Sequence, residues 1–451
     1  RFSSGRGDSS CASCHLFGDN DGLAWDLGDP DNAWTVNPRP YFSKAFSRFA
    51  LRVHHPMKGP MATQSFRGLE FQGPMHWRGD RPGAVRLHGE SLEKTAFKEF
   101  RVAYVGLLGR NTEPSEEELN LFADFVLQLR YPPNPNRQLD DTLRPSEAEG
   151  SDTFFNVKTT GFKSPSTGNV GLLLCNDCHE LNPDLERFGS STLMSFEGVE
   201  SSQDLKISHL RSLYTKVGMF GQQLRKPTST SRFMGDQLSG FGFAHAGADD
   251  TIETFLTLKV FHIPEELLQG LIDFMMVFPT GLAPITGQQV TLNAAHQDQG
   301  DRLDLMVAQA LAHTLAEGPL KPQCELVAQG TIAGASRNWL LKEDGRFHGD
   351  KASDPALADA GLRRLALQAG NSVTFSCVPF GNGKRIALDR DEDGVLNRDD
   401  GALYGKPETN VAAANPLAPK EVDELVDAVE GGFEREFMQK LMGDFPSFRR
   451  F

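Results

Sequence analysis

The sequence predicts a mainly α-helical fold for its first two units, followed by a smaller α+β module and a C-terminal helix. It reads as two tandem repeated units, 1–135 and 136–284, then a smaller α+β module, 285–405, and a linker with a C-terminal helix, 406–451. Three observations carry this reading. The motif Cys-x-x-Cys-His occurs once in each of the first two units, at 11–15 and 175–179. Each unit closes with a stretch whose apolar residues recur at helical spacing. From about residue 285, short apolar runs of strand type take over.

Composition bounds the function. The chain has 451 residues, of which 39% are hydrophobic and 24% charged. That is an ordinary globular balance, and at roughly 150 residues per domain it suggests about three domains. The net charge of −14 repels phosphate backbones and argues against a nucleic-acid partner. No window approaches the roughly 20 apolar residues of a membrane span. Phe is abundant, 32 against 5 Tyr, as suits a protein that wraps a flat apolar group. The chain begins at Arg1 without a basic-plus-apolar leader, so it reads as a mature or trimmed product.

The six cysteines decide the chemistry. Cys11 and Cys14 with His15, and Cys175 and Cys178 with His179, form the attachment signature of c-type haem. Two thiols add to the haem vinyl groups, and the next residue ligates iron through imidazole. The expectation is two covalently bound haem c groups. A zinc ribbon needs its pairs roughly 15–20 residues apart, which these are not. Covalent haem is attached outside the cytoplasm, which implies a periplasmic or extracellular location. In that oxidising setting Cys324 and Cys377 are expected to form a disulfide.

The elements follow in order. In the first unit, Phe66-Arg67 is followed by Met75, His76, Trp77, Arg78 and Gly79. Ser115 with Glu118 is a capping box opening the closing helix, which carries Leu119, Phe122, Ala123, Val126 and Leu129. Tyr131-Pro132-Pro133 ends it. Only ten residues precede Cys11, so the native polypeptide is expected to extend further N-terminally, or another segment covers that haem. The second unit has its own leading helix from Pro145 to Phe155. It repeats Leu210-Arg211, then has Met219, an insertion and His245-Ala246-Gly247, and closes with a helix from Pro264 to Pro279.

In the module, strands are expected at 289–292, 324–328, 338–341 and 372–378, with helices around 305–311 and 357–367. The run Asp389, Asp391, Asp393, Gly394, Val395, Asn397, Asp400 has carboxylates at positions 1, 3, 5 and 12 of a twelve-residue loop and Gly at 6. That is calcium-loop spacing, with Val395 offering its carbonyl. Asp19-Asn20-Asp21-Gly22 is a shorter echo and reads as a turn. The tail carries an apolar stripe from Val422 to Leu441, expected to cover the chain's own core or to support self-association.

The two units together resemble the bacterial dihaem cytochrome c peroxidase family. The residues carrying this are both haem motifs, Cys11 to Trp25, Arg67 to Asp80, Leu210-Arg211 and His245-Ala246-Gly247, and the match spans about 5–280. The resemblance implies two tandem cytochrome c-like haem domains, one haem relaying electrons and the other reducing peroxide. Family electron-transfer haems carry a Met before the final helix, but Ala103 and Phe255 stand near those places. Glu90 and Glu93 are the candidates for the family's distal glutamate.

The sixth iron ligand decides function. His76 and His245, each in a Gly-containing turn, are the first candidates, with Met75 and Met219 second. For the first haem, His54, His55, Met57 and Met61 stand behind them. Ligands at both haems point to low-spin, six-coordinate iron. The expected function is electron transfer with a redox partner protein or a surface electron acceptor or donor. The alternatives are a true peroxidase or a subunit of an extracellular electron-conducting assembly.

Overall fold

The computed structural model describes residues 3–36, 53–83, 90–163, 170–190, 194–196, 204–217, 240–247, 249–258, 260–297, 299–312 and 323–401. Met219, His88, Ala248 and the expected tail helix lie outside them.

Helix accounts for 31% and strand for 17% of the structure, including a six-stranded sheet, so the fold is mixed α and β and not mainly α. The reason lies in how the chain is spent. In the two motif-bearing units the helices are short, and much of the backbone forms turns and two-stranded ribbons such as Ala24–Trp25 with Met61–Ala62. The third unit is built on the sheet.

The first unit holds α1 (Leu92–Lys98), α2 (Arg101–Gly106) and α3 (Glu116–Val126). Ser115 caps α3 as its sequence predicts. Its hydroxyl accepts from the Glu118 amide at 3.2 Å, and Glu118 accepts from the Ser115 amide at 2.7 Å. Its apolar stripe meets α1 in a core of Ala96, Phe97, Ala123 and Val126, which also holds Met75.

The second unit contains α4 (Pro145–Asn156), α5 (Cys175–Cys178), α6 (Ile252–Leu256) and α7 (Glu265–Met276). Helices α4 and α7 cross at Gly150 and Gly270. A Cβ at Gly150 would collide with the Gly270 carbonyl, so the backbones meet with nothing between them. Phe154, Leu271, Phe274 and Phe278 pack around this crossing.

In the module, β1 (Gln289–Asn293) is followed by α8 (Gly300–Leu311), β2 (Glu325–Ile332), β3 (Ala335–Leu341), β4 (Arg346–Gly349), β5 (Leu357–Ala358), α9 (Asp359–Ala366) and β6 (Ser372–Val378). The antiparallel sheet has the order β1-β6-β2-β3-β4-β5. Strand alternation divides it into two faces. Leu326, Ala328, Trp339, Leu341, Val373 and Phe375 meet the helices on one face. Val327 and Leu340 meet Ala387 and Leu388 on the other. Cys324 and Cys377 form a disulfide, with Cα atoms 5.4 Å apart, on the helix-covered side. The strand β4 was not foreseen. Its four residues, Arg-Phe-His-Gly, carry one apolar side chain in the core, Phe347.

The glycine crossing gives a stability test. Gly150→Ala should destabilise the protein by about 2 kcal/mol, the usual scale for overpacking a close contact. The shift in denaturation midpoint measures it, and an unchanged midpoint would mean that the helices separate freely.

Candidate functional site

Both motif histidines are set in the same way. The His15 Nδ1–H donates to the Gln64 carbonyl at 2.8 Å. His179 Nδ1 lies 2.9 Å from the Gly189 carbonyl and 3.0 Å from that of Ser208. With the proton on Nδ1, Nε2 keeps its lone pair, the arrangement of a metal-ligating histidine. Burial, opposed by these carbonyls, pushes His15 down to about 4 and lowers His179 as well. Both rings are therefore neutral at pH 7, as a ligand must be.

Cys11, Cys14, Cys175 and Cys178 are not joined in disulfides. Burial raises Cys14 and Cys175 and pushes Cys178 up to about 11. Redox-active dithiols and zinc thiolates are shifted the other way. Protonated thiols beside a neutral, oriented imidazole are a donor set that fits thioether attachment and axial ligation of haem c.

Met75 to Arg81 and Phe243 to Asp249 form two loops of one shape. Met75 and Arg81 bridge through backbone bonds of 2.9 and 3.4 Å, and Phe243 and Asp249 through bonds of 2.8 and 3.4 Å. Within them the Gly79 amide donates to the His76 carbonyl at 3.1 Å, and that of Gly247 to Ala244 at 3.1 Å. His76 (φ 65°) and Gly79 (φ 60°) match Ala244 (φ 62°) and Gly247 (φ 63°) in the left-handed region.

This register corrects the pairing expected from sequence. His76 matches Ala244, and His245 matches Trp77. Met75 matches Phe243, and both side chains lie in the apolar core of their own unit. The insertion in the second unit thus falls between Arg211 and Phe243.

His76 is fixed by a partner that sequence reading passed over. Its Nδ1 lies 2.6 Å from an Asp80 carboxylate oxygen. Burial lowers His76, and its hydrogen bond and charge hold Asp80 far below the usual carboxylate range. His76 also lies close enough to His15 to act on it electrostatically, after the larger effects of burial and of the Gln64 and Asp19 backbone. The available signal was the i, i+4 spacing of His and Asp. His54 is buried near the same turn, whereas His55 and Met57 are exposed, and Met61 pairs with Trp25. Glu90 is engaged by Lys98, and Glu93 accepts from the Gly73 amide at 2.9 Å.

The units interlock through these loops. The Lys206 amide donates to the Trp77 carbonyl at 2.6 Å, and the Ala62 amide to the His245 carbonyl at 2.7 Å. Ala62 lies two residues before Gln64, and Lys206 two before Ser208, the carbonyls that hold the motif histidines. The Trp77 indole donates to the Ala62 carbonyl at 2.8 Å. Nearby, the Arg211 guanidinium lies 5.6 Å from the Tyr131 ring and 4.6 Å from that of Phe188. His209 accepts from the Arg211 amide on Nδ1 at 3.2 Å, which leaves its Nε2–H to donate to the Tyr131 oxygen at 3.0 Å.

In the module, the carboxylates of Asp389, Asp391 and Asp393 converge, with ligand atoms all within 4.8 Å of one another. Asp389 is fully buried, and its Oδ1 and that of Asp391 have no hydrogen-bond partner. Burial and then the charges of Asp393 and Asp400 raise Asp391, so Asp400 also faces the cluster. The Asn397 amide closes the loop instead, accepting from the Arg390 amide at 2.9 Å and donating to the Ala387 carbonyl at 3.1 Å. Val395 donates its amide to Asp393 at 2.8 Å. Asp19-Asn20-Asp21-Gly22 is a turn, with Asp21 accepting from the Leu23 amide and the Trp25 indole.

No family model and no curated protein matches the chain. A solved structure of Kuenenia stuttgartiensis hydrazine synthase, pressurised with 20 bar xenon, is similar over 61% of this chain and 83% of that one. The identity is 18% and the TM-score 0.37. A likeness at that level carries no argument about function.

The junction should be acid-sensitive. Burial, with Arg211 and Lys206 adding to it, holds His209 well below its ordinary value. A depressed histidine contributes stability above its unfolded value near 6.5, and that stability is lost as pH falls below it. Unfolding followed from pH 7 to pH 5 should show wild type losing stability more steeply than His209→Asn. Parallel curves would remove His209 from the account.

Proposed function

We propose that this protein is a dihaem c-type cytochrome of the periplasm or cell exterior, working in electron transfer with a redox partner. The reading is carried by the paired orientation of His15 and His179, each with Nδ1 on a backbone carbonyl and each following two cysteines that are not joined in a disulfide. Bound haem would supply a one-electron ferric/ferrous couple. The chain's part is to tether it through Cys11, Cys14, Cys175 and Cys178, to orient His15 and His179, and to exclude water from both imidazoles. The Cys324–Cys377 disulfide is consistent with an oxidising compartment. The resemblance to dihaem cytochrome c peroxidases supports the tandem haem arrangement. The two candidate distal glutamates are engaged within the fold, Glu90 by Lys98 and Glu93 by the Gly73 amide, which favours electron transfer over efficient peroxide reduction.

Two measurements test this. Acid–acetone extraction should leave two haems on the chain, and Cys175→Ala with Cys178→Ala should leave one. Complete extraction would defeat the reading. The half-reduced protein should turn over hydrogen peroxide slowly, and rapid turnover would favour the peroxidase alternative.

We also propose that Asp389, Asp391, Asp393 and Asp400, with the Val395 carbonyl, hold a calcium ion. The support is the buried, unpartnered Oδ1 of Asp389 within the carboxylate cluster, since a buried carboxylate oxygen without a partner is costly. Calcium at about a hundred times its dissociation constant should stabilise the protein by about 2.7 kcal/mol. Melting in chelator should fall accordingly, and Asp389→Asn should erase the difference. Identical melting with calcium and with chelator would remove the site.

A further inference from the structure

We infer that Tyr131 is a positioning residue shared by both haem sites: its phenol joins the segment that orients His15 to the segment that orients His179, so a change at either imidazole reaches the other. The inference deepens the dihaem reading above and rests on it.

The observation is that one phenol meets the same position of the repeat twice. Gln64 and Ser208, whose carbonyls accept from the motif histidines, are followed by Ser65-Phe66-Arg67 and His209-Leu210-Arg211. Ser65 and His209 are therefore counterparts. Both hydrogen-bond Tyr131, His209 through Nε2 at 3.0 Å and Ser65 through its hydroxyl. Burial raises the phenol above its ordinary value, so it keeps its proton at neutral pH and remains a neutral bridge.

Tyr131 is held from both sides. In the first unit the Gly68 amide donates to the Leu129 carbonyl at 2.7 Å, and the Arg67 guanidinium to the Arg130 carbonyl at 3.2 Å. From the second, the Thr280 hydroxyl donates to the Pro132 carbonyl at 2.8 Å. Gly68 (φ 63°) lets the Arg211 guanidinium close over the ring. A Cβ there would lie 2.1 Å from an Arg211 nitrogen and 3.2 Å from the Tyr131 ring. The phenol thus has little room to follow one segment without pulling on the other. Hydrogen bonds in series polarise one another in a buried setting. A change of charge at one imidazole alters its Nδ1–H bond to the carbonyl and, one residue further on, the bond to Tyr131.

Potentiometric titration of the holoprotein tests this, with the ring N–H protons of His15 and His179 followed by NMR as separate reporters of the two sites. Tyr131→Phe removes the phenol oxygen and keeps the ring. It should shift both midpoint potentials and both N–H resonances. His209→Asn keeps an acceptor for the Arg211 amide and should also move the His15 resonance, which belongs to the other unit. That effect on His15 should vanish in the Tyr131→Phe background. Ser115→Ala weakens α3 by loss of its cap, and it should lower stability while leaving both resonances in place. A Tyr131→Phe protein that loses stability but keeps both resonances, or that shifts only one, would overturn the inference and leave the dihaem reading intact. So would equal shifts in Ser115→Ala, or effects of Tyr131→Phe and His209→Asn that simply add at His15. Absence of covalent haem would instead defeat the reading on which it rests.

Discussion

One backbone exchange organises both sites. The Ala62 and Lys206 amides donate to the His245 and Trp77 carbonyls, each bond crossing from one unit to the other. Two residues further on, Gln64 and Ser208 turn their carbonyls onto the motif histidines. The segment that orients each imidazole is therefore anchored to the opposite unit's loop. The orientation of either ring is a property of the pair, and disturbance at the junction reaches both.

Part of the structure was legible in the sequence because it is local. The Cys-x-x-Cys-His spacing carries its own geometry. The Ser115–Glu118 capping box and the stripe of α3 were readable from neighbouring residues, as were the alternating strands of the module and the pairing of Cys324 with Cys377. The mainly helical expectation failed because turns and two-residue ribbons leave no periodic pattern, yet they frame both motifs. Loop register was hidden for a related reason. His76 and His245 look equivalent as letters, but equivalence is set by φ values and bridging bonds. These align His76 with Ala244. The Asp80 partner leaves only an i, i+4 spacing in the sequence, which many unpaired residues share.

The module shows how an acidic loop serves as a structural layer. Helices cover one face of the sheet, and Ala387, Leu388 and the loop after them cover the other. The Arg398 amide donates to the Asp350 carbonyl at 2.9 Å, and its guanidinium pairs with Asp350 and Asp354, tying the loop's end to the turn after β4. The carboxylate cluster lies within this second layer, so neutralising its charge bears on the packing of the sheet itself.

The reciprocal bonds across the junction have the form of a two-fold axis: the first unit does to the second what the second does to the first. Such isologous contact is how two identical subunits pair. In a symmetric dimer every substitution appears twice, so a residue changed in one half is changed in both. Joining the halves in a single chain lifts that constraint. It lets one loop carry His76 where the other carries Ala244, while the two loops keep the same backbone.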